Sequence, residues 1–405
     1  MEINNPVQKK GLWPVNIYEW YYILVILGYV ATLFTDKMRP GVFAAALMLI
    51  ILARMTYKKQ FSVKSTTDIL ILVYFFYNII SVFWLKASGL PVTVHLNEFV
   101  VSVLPMIFYF VGKSCDTDEK KDSFYSKFVA ALLIVGFLGI FFHIFAPQFY
   151  IDYSFRYSFI SKADAQTSRV RMDSVVGCTV LGALGVSGML AGAHFIDRKD
   201  TRLKGIFFIL CNFIFAVLSN QRSAMVASLI VIVYINYLIF WQFDIVDRKY
   251  FRYEMVMIIA ALTALWFIDN SLVMKIWWRL ESLPLAVSER SEQWIAAINN
   301  MYSTWFGNGL GANGHKALGL EDTHVIADGG LIKLYCEEGI IGLSLYIYIL
   351  IISLKKGIGA IKRYYVEVGI IVIALLQSIG SNILAFQPVA PIFWFALGVI
   401  NEEDK

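Results

Sequence analysis

The chain has 405 residues, 58% hydrophobic and 16% charged, with a formal net charge of +5 and a mean hydropathy of +0.64. Soluble domains carry about 25% charged residues, so this balance excludes a soluble globular enzyme and points to a single polytopic membrane domain over residues 1–405. The four cysteines, Cys115, Cys178, Cys211 and Cys336, are scattered and form no CxxC pair, which argues against a cysteine metal site and a disulfide framework.

Lys9 and Lys10 precede a long apolar segment without a small-residue cleavage site, so the segment is expected to remain as a first membrane helix. An apolar run of about 20 residues spans a bilayer as a helix. On that measure twelve spans are expected, near 17–35, 40–56, 67–86, 93–112, 126–146, 173–195, 203–219, 221–242, 253–270, 327–353, 364–384 and 387–401. Placing the N-terminus in the cytoplasm makes every inner loop basic: Lys58 and Lys59, Lys120 and Lys121, Arg198 and Lys199, Arg248 and Lys249, Lys355 and Lys356. The positive-inside rule then puts both termini in the cytoplasm. The fold class expected is all-α, with helices throughout.

Two outer loops are long, 147–173 and 271–327, and both are basic on the side where basic residues are disfavoured. Long loops in a compact protein are usually functional. In the first, Arg169 and Arg171 share one side of the chain if it is extended, and a solvated loop is the competing reading. Between them in the chain order comes "SNQRSA", where Arg222 opens the eighth span. Arginine is the forked partner of phosphate, and a helix N-terminus favours anions. The alternative is an arginine that only anchors its helix at the interface.

The second loop carries Arg279 and Arg290, a helix expected over 291–302, and the tryptophans Trp277, Trp278, Trp294 and Trp305, which suit a membrane interface. Its "FGNGLGANG" lacks the strand and helix of a phosphate cradle and reads as a flexible turn. The stretch "THVIADGGLIKLYCEEGIIGL" follows. If it is helical from about Val325, His324 and Asp328 lie one turn apart on one face and either can act as a general base. A lone histidine is as readily structural. Asp328 at the mouth of a span needs a partner, and Lys333 and Arg290 are the candidates. The absence of HExxH and similar patterns predicts no bound metal.

These residues resemble the O-antigen polymerase (Wzy) family, within the O-antigen polymerase and ligase superfamily of bacterial membrane glycosyltransferases. Three features carry the resemblance: the arginine in "SNQRSA"; Arg290 and Trp294 followed by "FGNGLG"; and "EEGIIGL", with Glu337, Gly339 and Gly342. They cover the C-terminal half, and the N-terminal half matches in topology alone. Ligases of this pattern carry a His-Asn pair about eleven residues before the glycine at 339, a register that falls here on Asp328 and Gly329. That departure favours a polymerase.

The resemblance implies a GT-C-like membrane glycosyltransferase in the bacterial inner membrane that needs no cofactor, no metal and no nucleic acid. Its substrate would be an oligosaccharide repeat on undecaprenyl pyrophosphate, displayed at the outer leaflet among membrane lipids. The growing glycan would move from its lipid pyrophosphate to the non-reducing end of the next repeat. Arg222 and Arg290, with Arg169, Arg171 and Arg279, would hold the pyrophosphate, and Asp328 or His324 would take the acceptor proton. A polysaccharide chain-length regulator is a further partner the resemblance admits, with no motif marking its contact. Two alternatives stand: a ligase-type glycan transferase of the same superfamily, and a polysaccharide flippase or other transporter. Transporters tend to show internal repeats and mid-membrane charges, and neither is evident in the sequence.

Overall fold

The computed structural model describes residues 16–156, 171–253, 283–320, 323–326 and 328–402, with single positions between 254 and 282. Every element among these residues is helical. The helices in chain order are α1 (Tyr21–Ala31), α2 (Pro40–Tyr57), α3 (Thr66–Ile80), α4 (Val82–Ala87), α5 (Val92–Glu98), α6 (Ile107–Lys113), α7 (Asp118–Phe145), α8 (Pro147–Arg156), α9 (Cys178–Ala193), α10 (Arg202–Leu218), α11 (Arg222–Tyr237), α12 (Leu283–Asn299), α13 (Gly330–Gly359), α14 (Ile361–Gly380) and α15 (Ala390–Ile400).

Local chemistry sets several of their ends. Pro40 opens α2, where its missing N–H costs nothing. Ser65 and Asp68 cap α3 reciprocally, and Thr117 caps α7. Pro105 interrupts the apolar segment Val92–Lys113, because it has no amide hydrogen to give to the preceding turn.

Among the described residues, seven helices are long and apolar enough to cross a membrane: Pro40–Tyr57, Thr66–Ala87, Val92–Lys113, Asp118–Phe145, Arg222–Gln242, Gly330–Gly359 and Ile361–Gly380. α1, α9 and α15 are shorter apolar helices. α10 lies at the expected span 203–219 and is 17 residues long. The expected span at 253–270 falls almost wholly outside the described residues.

The centre of the bundle is built from α9 and α15. All of α15 is buried, and so is α9 apart from Thr179. Small residues let these backbones approach their neighbours. At Gly398 of α15 an added Cβ would lie 1.9 Å from the Tyr109 carbonyl oxygen on α6. The outer helices turn apolar side chains outward, among them Leu49, Ile69, Phe76 and Val233, as a lipid-facing surface requires.

One end of the bundle is tied by ion pairs. Lys113 meets Asp68 at 2.7 Å, Lys127 meets Glu19 at 2.5 Å, and Asp122 meets both His194 and Arg198. The opposite end carries the start of α11 and the segments around α12. There the described parts of the two expected loops include helix. The first contains α8, and behind it Asp173 and Ser174 are fully buried. The second contains α12, which starts eight residues before the expected helix and ends at Asn299.

Candidate functional site

α13 is two helices joined at a break. Gly339 has φ +65° and ψ −169°, a conformation that only glycine adopts readily. The glycine-rich segment fills the break. Asn308 N–H donates to the Cys336 carbonyl at 2.8 Å and Gly309 N–H to the Glu337 carbonyl at 2.9 Å. Beyond the break, Ile340 N–H donates to the Thr304 carbonyl at 3.0 Å and Ile341 N–H to the Trp305 carbonyl at 3.2 Å. The break would otherwise leave buried backbone groups unpaired. A Cβ at Gly307 would lie 2.4 Å from the Glu337 carbonyl carbon, so the segment needs glycine to fit. The expectation of a flexible turn is therefore corrected: "FGNGLGANG" is a wedge seated in a helix.

The stretch before α13 is also corrected. The helix starts at Gly330, with Gly329 as its cap. Residues 323–326 are non-helical, so His324 and Asp328 do not share a helical face. His324 lies in a non-helical strap, 323–326, and Asp328 lies two residues beyond it. Asn313 Nδ2 donates to the His324 carbonyl at 2.7 Å, and Ile326 N–H donates to the Asn313 carbonyl at 2.9 Å. Asn382 Nδ2 donates to the Ile326 carbonyl at 2.6 Å.

Beyond this strap the Asp328 carboxylate pairs with Arg290 of α12, Nη2 to Oδ2, at 2.7 Å. Trp294, one turn along α12, donates its indole N–H to the Asp328 carbonyl at 2.7 Å. Trp294 thus does more than sit at an interface. Trp277, Trp278 and Trp305 are well exposed, as interfacial residues would be.

Arg290 and Trp294 form one wall of a cleft of about 380 Å³. Arg171 and Arg222 line it too, with Asn220, Gln221 and Gln377. Arg222 is the first residue of α11 and Gln221 is its cap, so the positive end of that helix also meets the cleft. Below the arginines the lining turns apolar, through Val226, Ala227 and Ile230 of α11 and Leu376 and Ile379 of α14. Among the described residues the lining brings three guanidinium groups and no carboxylate. Asp328 reaches in only through Arg290.

Of the residues expected at the site, the structure brings together Arg171, Arg222, Arg290 and, through Arg290, Asp328. His324 is half-buried and is absent from the cleft lining. Arg169 and Arg279 lie outside the described residues.

A second charged group was not foreseen. Lys333, one of the two expected partners of Asp328, instead meets Glu98 Oε1 at 2.5 Å and Glu337 Oε2 at 3.2 Å. Glu337 Oε1 accepts from Asn313 N–H at 3.1 Å, and Glu338 Oε1 accepts from the Tyr74 hydroxyl at 2.9 Å. All four charged residues are at most 6% exposed. Glu98 lies inside an expected span, and an ionisable residue there is a signal the sequence did carry.

No protein-family model matches the chain, and no curated protein matches it either.

Proposed function

We propose that the chain is a polysaccharide polymerase of the O-antigen polymerase type, a GT-C-like membrane glycosyltransferase with twelve spans and both termini in the cytoplasm. It would join oligosaccharide repeats carried on undecaprenyl pyrophosphate at the outer leaflet of the inner membrane. The observation that carries the reading is the cleft: three arginines and a helix N-terminus over an apolar wall. That arrangement suits an amphiphile with an anionic head and a long chain, because guanidinium forks pair with phosphate oxygens and the apolar wall can take the lipid.

The chemistry follows from the same groups. An acceptor hydroxyl oxygen forms the new bond to the anomeric carbon of the donor glycan. The bond from that carbon to the pyrophosphate oxygen breaks, and its electron pair leaves with the lipid pyrophosphate. Arg171, Arg222 and Arg290 would stabilise the charge on that leaving group, the kind of preorganised contact that is worth about 3 kcal/mol per donor. A phosphate that draws Arg290 to itself frees Asp328 Oδ2 to accept the acceptor's proton. Asp328 is thereby favoured over His324 as the base.

Transport of the same lipid-linked glycan is the second reading. The broken α13 and the buried charges beside it favour it, since transporter sites are often built at discontinuous helices. Against it, Lys333, Glu98 and Glu337 are engaged with one another, and Glu337 with the wedge.

Deleting the gene in its host and sizing the surface glycan separates the two. Collapse of the ladder to one repeat, still attached to its carrier, is the polymerase result. Loss of all surface repeats, with lipid-linked units held on the inner leaflet, would instead mark a transporter.

A further inference from the structure

We infer that Asn313 is a positioning residue for the base Asp328, acting by fixing the strap 323–326. The inference rests on the polymerase reading for its catalytic arm alone.

Asn313 is 1% exposed, and each of its four polar groups is used. Its N–H donates to Glu337 Oε1 at 3.1 Å, which ties it to the first half of the broken α13. Its carbonyl accepts from Ile326 N–H at 2.9 Å, and its Nδ2 donates to the His324 carbonyl at 2.7 Å. Its Oδ1 accepts from Asn308 Nδ2 at 3.1 Å, inside the wedge. One side chain and its backbone therefore connect the wedge, the buried charge group and the strap. Asp328 lies two residues beyond Ile326, and its own carbonyl is fixed by Trp294.

The strap has no helix or sheet of its own to hold it. Its described backbone bonds run to Asn313 and, from the opposite side, to Asn382. With the strap loosened, Asp328 would keep its bonds to Trp294 and Arg290 but lose the fixed backbone that leads to them. A base must lie within hydrogen-bond reach of its proton, and a displacement of about 1 Å can cost about 100-fold in rate. The arginines sit on other elements, α11, α12 and the segment before α9, so loosening the strap leaves the phosphate contacts of Arg171 and Arg222 in place.

Asn313→Asp is the informative change. It keeps the size and the Oδ1 acceptor, and replaces the Nδ2 donor with an oxygen facing the His324 carbonyl. Three readings on purified protein in nanodiscs test the idea. Hydrogen exchange of a peptide covering 323–328 should speed up while exchange in 340–359 stays as it was. Turnover of an undecaprenyl-pyrophosphate-linked repeat should fall about 10- to 100-fold in kcat, with the donor KM within about twofold. In an Asp328→Asn background, Asn313→Asp should cost nothing further, because the two act as one unit.

Unchanged exchange at 323–328 would overturn the inference, and so would losses in kcat that simply add. If the wild-type protein shows no turnover, the polymerase reading fails and the exchange measurement still decides whether Asn313 fixes the strap. If Asn313→Asp does not fold, Asn382→Ala removes the opposing bond to Ile326. It is expected to give the same faster exchange and the same split between kcat and KM, and normal exchange in that variant would count against the account.

Discussion

Two charged regions lie beside α13, and they differ in what their charges face. In the inner one, Lys333 is enclosed by Glu98 and Glu337, with Glu338 held by Tyr74, and none of these charged residues is more than 6% exposed. In the outer one, Arg171, Arg222 and Arg290 face a space of about 380 Å³ with no carboxylate among the described residues that line it. Buried charges are tolerated when they satisfy one another. Positive charges gathered around an open cleft raise the potential there for an anion, although Arg290 is already paired with Asp328. The inner group lies beside the break in α13 and anchors the wedge through Glu337, and the outer group is where the proposed function would place an anion.

The comparison makes opposite predictions for the two regions. The largest effect on stability should come from Lys333→Met, which leaves the buried carboxylates of Glu98 and Glu337 without their cation. A loss of about 3–5 kcal/mol is expected, seen as a lower thermal midpoint whether or not substrate is present. An unchanged midpoint would dissolve the distinction between the regions. Arg222→Ala should do the reverse. It should leave the thermal midpoint close to wild type and slow turnover by about 100- to 1,000-fold.

Gly339→Ala sharpens the inner half of the comparison. An added Cβ would lie 2.3 Å from the Trp305 carbonyl oxygen, at φ +65°. A cost of about 1–3 kcal/mol in stability follows from the backbone strain alone, and proteolysis should become faster at the wedge. The smallest effect belongs to Trp294→Phe, which removes one hydrogen bond to the Asp328 carbonyl. Such a bond is worth about 1 kcal/mol, so kcat should fall roughly fivefold while the thermal midpoint hardly moves. A loss as large as that of Arg222→Ala would mean that Trp294 contacts substrate directly.

Much of the helical framework could be read from the sequence, because a continuous apolar run is a local signal and the bilayer length filters it. Arg222 was legible for a similar reason: a polar turn between two apolar helices exposes its own anomaly. Arg290 stood out as one of two candidate partners for Asp328, and the choice between it and Lys333 needed the fold. The wedge was misread because its partners, the carbonyls of Cys336 and Glu337, lie about thirty residues further along the chain, beyond any turn rule. The strap was misread because the apolar residues Val325 and Ile326 continue the helical pattern backward. The two glycines that follow place the true start at Gly330, and a glycine before a helix is a weaker marker than Ser, Thr or Asp. Glu98 was passed over inside an apolar run, although an acidic residue there already calls for a partner.

The central claim is that the arginine cleft holds a lipid pyrophosphate while glycan repeats are joined. Its most direct test is to reconstitute the purified protein with an undecaprenyl-pyrophosphate-linked repeat and size the products, with Arg222→Ala alongside. The account predicts a ladder of polymer and free undecaprenyl pyrophosphate from the wild type, and a ladder reduced by about 100-fold or more in the variant. A wild type that leaves single repeats on their carrier, or a variant that polymerises at the wild-type rate, would contradict it.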